Sequence, residues 1–465
     1  MRPAFTKYTP EQGDVLDWFP ENNGILLVHA GPGTGKSFMS REVAEALDPP
    51  RALYTAFNKA IVMAGIPRFK GLNVECKTMH ALAYRYTKPK GEISDISYKC
   101  ITEKIPYKQK KMVIDAINEF YVSDSTDMFL YMNEHFPITK KLRDISLKYI
   151  QLMIDQKINP TFNFMLKFFH LCLVAGSVKC EYDLVILDEI NDTTAVALEI
   201  FKLIKAPKKL GLGETNQAIY DFLNLVDGFE LLENEATVLP LTQSFRCSEN
   251  IARKLQQFMR DDVNPDFKFI GTSEPVRNGK ELYVTATNGS IVRKISERIS
   301  VGQGFKLLRN ISEIFAYPMA IVTAGGGKAV YQSKYRFLED EYREYKKSSN
   351  TKVSWFQHLL EWVDDQETKT AVNLLLGLKR NGVNLFALYA DAKKVKVDDD
   401  YTIATVFTSK GLEFETVEIC DDLNARIKKI RDAGGIQTHD DLVAFRCYYV
   451  AVSRCGVNLI NATAL

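Results

Sequence analysis

The run Gly31-Pro32-Gly33-Thr34-Gly35-Lys36-Ser37 follows the apolar stretch Ile25-Leu26-Leu27-Val28. A strand, a glycine loop and a Lys-Ser ending in that order restrict the chain to folds that present a phosphate cradle at the end of a strand. Glycines let backbone N–H groups close around phosphate oxygens, Lys36 has the reach for the β and γ phosphates, and Ser37 offers a hydroxyl to a magnesium ion. The residues Gly31 to Ser37 are therefore expected to bind a nucleoside triphosphate together with Mg2+.

A second apolar strand ends in carboxylates: Leu184-Val185-Ile186-Leu187-Asp188-Glu189. In a parallel sheet this edge faces the ligand. Asp188 is expected to hold the metal through water, and Glu189 to orient and deprotonate the water that attacks the γ phosphate. Gln12 precedes the loop, and its amide can pair with both the donor and the acceptor of an adenine edge. Arg246 and Arg454 offer planar, permanently charged forks to a transferring phosphoryl group. Taken alone, such arginines are more often surface ion-pair partners.

At 465 residues the chain exceeds one ordinary core and suits several domains. Its 46% hydrophobic and 25% charged residues are those of a soluble globular protein, with no apolar run long enough to cross a membrane. The start Met1-Arg2-Pro3-Ala4 lacks a secretory pattern, so an intracellular, soluble protein is expected. Cys76, Cys100, Cys172, Cys180, Cys247, Cys420, Cys447 and Cys455 lack the close pairing of zinc or iron-sulfur sites and read as reduced thiols. A net charge of +2 gives no bulk attraction to nucleic acid, which leaves local patches.

Apolar runs alternate with amphipathic stretches, the grammar of an α/β fold with parallel sheets. Ile25 to His29, Ala52 to Ala56, Leu184 to Leu187 and Lys209 to Gly213 form one set of expected strands. Thr237 to Leu239, Phe305 to Leu308, Ile403 to Phe407 and Val417 to Cys420 form a second. A helix-rich interval separates members of the first set and carries Lys104, Lys108, Lys110, Lys111, Lys140, Lys141, Arg143 and Lys148. These residues suit either a nucleic-acid path or a solvated helix face.

From Thr9 to Cys455 the order of motifs resembles the UvrD, Rep and PcrA group of superfamily one DNA helicases, with a middle closest to the F-box DNA helicase branch. Tyr54-Thr55-Ala56-Phe57-Asn58-Lys59-Ala60 is similar to motif Ia, and Cys76-Lys77-Thr78-Met79-His80-Ala81-Leu82-Ala83 to motif Ib. The resemblance implies that Phe57, Asn58, Thr78 and His80 touch single-stranded DNA, with Phe57 as a stacking face. Asp188-Glu189-Ile190-Asn191-Asp192 matches the DEAQD motif, with Ile190 for alanine and Asn191 for glutamine. Gly213 to Phe222 looks like motif III, implying a γ-phosphate sensor in Gln217 and a base-stacking role for Phe222. Leu223-Asn224 stands where the family has an arginine-glycine pair.

Gln243-Ser244-Phe245-Arg246 resembles motif IV, implying that Phe245 stacks on adenine and Arg246 meets the γ phosphate. Leu307-Leu308-Arg309-Asn310 resembles the arginine motif that follows, without its threonine. Thr405 to Phe414 is similar to motif V, with Phe407 in place of a common histidine; Glu413 would meet the ribose, and Thr405 and Lys410 the DNA. Tyr449-Val450-Ala451-Val452-Ser453-Arg454 matches motif VI and implies an arginine finger in Arg454.

The implied fold is α/β, with two RecA-like parallel-sheet P-loop NTPase domains, each carrying a mainly helical inserted subdomain. The first spans residues 1–85 and 161–240 around a helical insertion at 86–160; the second spans 241–325 and 401–465 around a short insertion at 326–400. ATP and Mg2+ would bind in a cleft that closes on ATP and opens after hydrolysis. The expected function is an ATP-dependent helicase or translocase moving 3′ to 5′ on single-stranded DNA and opening duplexes in replication, recombination or repair. Alternatives are an ATP-gated single-strand clamp or filament remodeller, and the motor of a nuclease complex. Expected partners are single-stranded DNA, single-strand/duplex junctions and replication or recombination proteins, acting on a monomer with no membrane contact. The compact core fits a phage or viral member in a bacterial or infected cytoplasm, or a nuclear one in a eukaryote.

Overall fold

The computed structural model describes residues 8–56, 59–96, 100–136, 138–220, 225–348, 353–362 and 366–465. Phe57, Asn58 and Phe222, expected at DNA, lie outside the described residues. The chain divides into two compact units, Met1–Thr242 and Gln243–Leu465.

The first unit is built on six parallel strands in the order Val74–Cys76, Ala52–Ala56, Leu184–Asp188, Lys208–Gly213, Gly24–Ala30, Ala236–Leu241. Side chains alternate across a strand, so neighbouring residues enter different cores. Leu26, Val28, Leu184 and Ile186 pack with Val15, Phe19, Met39 and Val43 on one face. Leu27, Val185 and Leu187 pack with Leu166, Phe169 and Phe201 on the other. Burial on both faces explains why these strands read as continuous apolar runs.

The segment Thr237 to Leu239, expected in the second set, belongs to the first sheet instead. Its strand pairs in parallel with the loop-bearing strand, Ile25 opposite Ala236. As an edge strand it leaves Val238 45% exposed, and an apolar triplet carries no information about which sheet it joins.

Helices Tyr107–Val122, Met128–His135 and Lys140–Ile154 pack around their own core of Val113, Ile117, Phe120, Met132, Leu142 and Tyr149, with Met165 of helix Phe162–Val174. Asp127, Thr139 and Thr161 cap helix starts through their side-chain oxygens. Several of the basic residues on this segment are engaged locally. Lys111 lies 2.5 Å from Asp115, Lys148 2.6 Å from Glu103, and the Lys110 ammonium donates to the Ile101 carbonyl at 2.5 Å.

Among the described residues the second unit holds a sheet of five parallel strands, ordered Lys306–Leu307, Tyr401–Thr405, Glu281–Thr285, Phe414–Ile419, Cys455–Ile460, and a separate parallel pair, Gln243–Ser248 with Ile270–Thr272. Phe407, expected at a strand end, sits in the short helix Val406–Ser409, which starts where the Thr405 hydroxyl accepts from the Thr408 N–H. Helices Phe337–Lys347, Trp355–Trp362, Gln366–Arg380 and Leu385–Ala392 share a core with Asn288–Ser300 and Ala316–Gly325. Trp355 closes it, its indole N–H donating to the Ile321 carbonyl at 3.1 Å. All eight cysteines are free, and no helix among the described residues is long and apolar enough to cross a membrane.

The edge strand Val74–Cys76 is tied down by charge. Glu75 accepts from Arg85 Nη1 at 2.8 Å and from the Tyr182 hydroxyl at 2.9 Å, with Lys77 Nζ 3.0 Å away. The Arg85 bonds outweigh partial burial and hold its carboxyl at about 2, below an ordinary 4.5. A depressed acid stabilises the folded state above its unfolded pKa and loses that contribution as pH falls through the folded one. The stability difference between native protein and Glu75→Gln should therefore be constant above pH ~5 and shrink towards pH ~2, as read from urea midpoints across that range.

Candidate active site

Gly33 and Gly35 take φ of 69° and 92°, the left-handed region that a Cβ disfavours. Between them the Thr34 hydroxyl donates to the Gly31 carbonyl at 2.8 Å and closes the turn. Gly35 is the N-cap of helix Lys36–Leu47 and has no side chain to cap the first N–H groups. Those donors and the positive end of the helix make an anion cradle. Pro32 and Gly31 are buried beneath it, and Ser37 is exposed in the first turn.

Gln12 is 2% exposed at the third position of helix Pro10–Glu21, in a capping box with Thr9. Its amide oxygen accepts from the Thr9 N–H at 3.1 Å, and its amide nitrogen donates to the Thr34 carbonyl at 3.3 Å. Gln12 thus braces the loop itself, and each end of the amide keeps one further hydrogen-bonding capacity for a base edge.

The parallel strands bring the carboxylates to the same edge as the loop. Lys36 Nζ lies 3.7 Å from Glu189 Oε1, with both side chains largely buried. Asp188 is 4% exposed; its Oδ1 accepts from the Glu189 N–H at 3.0 Å and its Oδ2 from the Tyr54 hydroxyl at 2.5 Å. Burial, then the neighbouring Glu189 charge, push the Asp188 carboxyl above its ordinary range. A cation beside it would reverse that shift. Glu189 itself has φ 55°, a strained value for a side chain with a Cβ, which turns its carboxylate out of the strand direction.

The two departures in the Asp-Glu-Ile-Asn-Asp run have a packing account. Asn191 Oδ1 accepts from the Glu214 N–H at 2.9 Å across Gly213, where a Cβ would stand 2.3 Å from that oxygen. Gln217 is 3% exposed and donates to the Glu214 carboxylate. Ile190 fills a slot lined by glycines: a Cβ on Gly211 would lie 2.7 Å from its Cδ1, and one on Gly228 2.5 Å from its Cγ1. The larger residue at 190 fits because its neighbours have no side chain.

In the second unit, residues far apart in sequence also converge. Arg246, 7% exposed, donates from Nε and Nη2 to Glu413 Oε1 at 3.0 and 2.7 Å, and from Nη1 to the Ser453 carbonyl at 3.0 Å. Arg454, 1% exposed, donates from Nε to the Val450 carbonyl at 3.0 Å and from Nη2 to the Ser453 hydroxyl at 2.9 Å. Phe245 alternates to the outside of its strand and is 48% exposed.

Among the residues expected at DNA, Thr78 caps helix Met79–Thr87 by accepting from the Ala81 N–H at 3.1 Å. His80 is half-buried edge-on to Phe162, with burial lowering its pKa. The Thr405 hydroxyl is committed to its cap, and Lys410 follows at the end of that helix. Tyr54 and its neighbour Arg68 were passed over in the sequence. The available signal was a phenol on the buried strand Ala52–Ala56, whose Ala56 pairs with Asp188.

No protein-family model matches the chain. It is similar to two proteins named for DNA helicases. "F-box DNA helicase 1" of Gallus gallus is 24% identical over 90% of this chain and 45% of that protein. "F-box DNA helicase protein 1" of Schizosaccharomyces pombe is 21% identical over 97% of this chain and 57% of that protein. The chain spans about half the length of these curated relatives, and the relationship to the F-box helicase branch expected from motif order is supported over most of its residues.

Two stability measurements check the packing. Ile190→Ala should cost about 2–5 kcal/mol through the cavity it leaves. Gly211→Ala should cost about 1–3 kcal/mol by overpacking, and less when combined with Ile190→Val, which removes the crowded Cδ1. In the second unit, Glu413→Ala should cost about 1–3 kcal/mol by stripping Arg246 of its charged acceptor, and Glu413→Gln less. Urea titration of each variant gives these values.

Proposed function

We propose that the chain is an ATP-dependent DNA helicase or translocase acting on single-stranded DNA with 3′ to 5′ polarity. The observation that carries this reading is the convergence of Lys36, at the head of an uncapped helix, with the Asp188–Glu189 pair, in a chain whose relatives are named DNA helicases.

The residues suit ATP and Mg2+: left-handed glycines and the first-turn N–H groups of a helix without a side-chain cap for phosphate, a serine hydroxyl and a buried carboxylate for the cation. Ser37 and Asp188 would hold the ion, and it would neutralise phosphate charge as a Lewis acid. Lys36, its ammonium 3.7 Å from Glu189 Oε1, is assigned to the β and γ phosphates. Glu189, beside it, is assigned to accepting a proton from the attacking water. Gln217, tethered to Glu214, is assigned to sensing the terminal phosphate. Arg246 and Arg454 are assigned to the charge that develops on the transferring phosphoryl group, a role that preorganised guanidinium forks serve without reorientation. Phe245 and Glu413 are assigned to base and ribose; Thr78, His80, Thr405 and Lys410 to DNA, with Phe57, Asn58 and Phe222.

A tailed-duplex assay tests the reading. The native protein with ATP should release the displaced strand from a 3′-tailed substrate and spare a 5′-tailed one, and Lys36→Ala should lose about 10²–10³-fold in rate. DNA-stimulated hydrolysis without strand release would assign the chain to the clamp or remodeller class. A Lys36→Ala protein that hydrolysed ATP at the native rate would contradict the site.

A further inference from the structure

We propose that Tyr54 is a positioning residue for Asp188, fixing the plane of that carboxylate for the divalent cation, and that Arg68 holds Tyr54 in place. The inference rests on the nucleotide-site reading above and adds to it residues outside the loop and the Asp-Glu pair.

The geometry is that of a buried relay. Tyr54 is fully buried, and its hydroxyl donates its single proton to Asp188 Oδ2 at 2.5 Å. The Tyr54 hydroxyl oxygen accepts in turn from Arg68 Nη1 at 3.3 Å, so the proton of the phenol is directed at the carboxylate and away from Arg68. The Arg68 guanidinium lies 5.9 Å from the Tyr54 ring centre, and its own backbone carbonyl is held by Arg41 Nη1 at 2.6 Å. The ring cannot shift sideways. Phe69 stands 4.9 Å from it, and a Cβ on Gly65 would come within 2.6 Å of its Cε1, so only glycine fits there.

The consequence falls on Asp188. The Glu189 N–H binds Oδ1 on one side and the phenol binds Oδ2 on the other. Two donors at opposite oxygens stop rotation about the bond to the carboxylate carbon, while each oxygen keeps a lone pair for a metal-bound water. Residues that orient a metal-binding group in this way typically account for about 10–100-fold in metal affinity. A phenol suits the task in a site this enclosed because it donates without adding a second charge beside Asp188 and Glu189.

The test uses the full chain, a fluorescent N-methylanthraniloyl ATP analogue, and Mg2+ titrated from a chelator-treated start. Tyr54→Phe removes one hydroxyl and keeps the ring. Its affinity for the analogue without Mg2+ should stay near native, while the Mg2+ concentration giving half of the affinity gain should rise about 10-fold. Arg68→Met should shift that midpoint in the same direction by less. An unchanged midpoint in Tyr54→Phe, with a lowered melting temperature alone, would make Tyr54 a packing residue and overturn the inference while leaving the nucleotide site standing. If Tyr54→Phe does not fold, an unchanged midpoint in Arg68→Met overturns it equally, and a raised one supports it. Failure of the native protein to bind the analogue at any Mg2+ concentration would remove the site reading and this inference together.

Discussion

Asp188 is a carboxylate at the end of a fully buried strand, and the arrangement of the first unit depends on making that burial tolerable. An isolated charge in such a place would neutralise instead of serving a cation. The surroundings supply what water would have supplied: a backbone N–H, a phenol and, one residue on, a lysine facing Glu189. Each comes from a different element of one parallel sheet or its crossovers, so the site exists only when the sheet order is correct. The left-handed backbone at Glu189 fits the same constraint, since continuing the strand would have carried its side chain away from the loop.

The second unit addresses a related difficulty with cations. Arg246 and Arg454 are almost wholly buried, and each spends guanidinium hydrogens on fixed acceptors around Ser453 and Val450. Glu413 balances Arg246 directly. Guanidinium groups held by fixed acceptors are preorganised, with little side-chain freedom left to lose in any further contact. Phe245, beside Arg246, leaves a ring in solvent where strand alternation demands it.

The loop, the apolar strand before it and the strand ending in Asp188 were legible because their chemistry is local: glycine backbone, lysine and paired carboxylates in short runs. The first sheet's inner strands were legible for the same reason, being unbroken apolar segments. Sheet membership was not: Thr237 to Leu239, expected in the second set, pairs in the first sheet, because pairing is a property of the whole fold. Glu281–Thr285, central in the second sheet, went unread since only Leu282, Tyr283 and Val284 mark it and its neighbours in sequence are polar. The roles of Gln12 and Thr405 as loop brace and helix cap depend on contacts with backbone, which a motif does not display. Tyr54 was quoted as part of a motif, and its contact spans 134 residues of sequence. The glycines around Ile190 show the same limit, since a substitution in one segment is accommodated by two others.

The central claim is that the Lys36, Asp188 and Glu189 cluster hydrolyses ATP and that single-stranded DNA drives it. The most direct measurement is the steady-state hydrolysis rate with and without a single-stranded oligonucleotide, for the native chain and Glu189→Gln, at one fixed salt concentration. The account predicts strong stimulation by the oligonucleotide in the native chain and its loss in the variant, with nucleotide binding retained. Hydrolysis that ignores the oligonucleotide, or that survives Glu189→Gln unchanged, would contradict it.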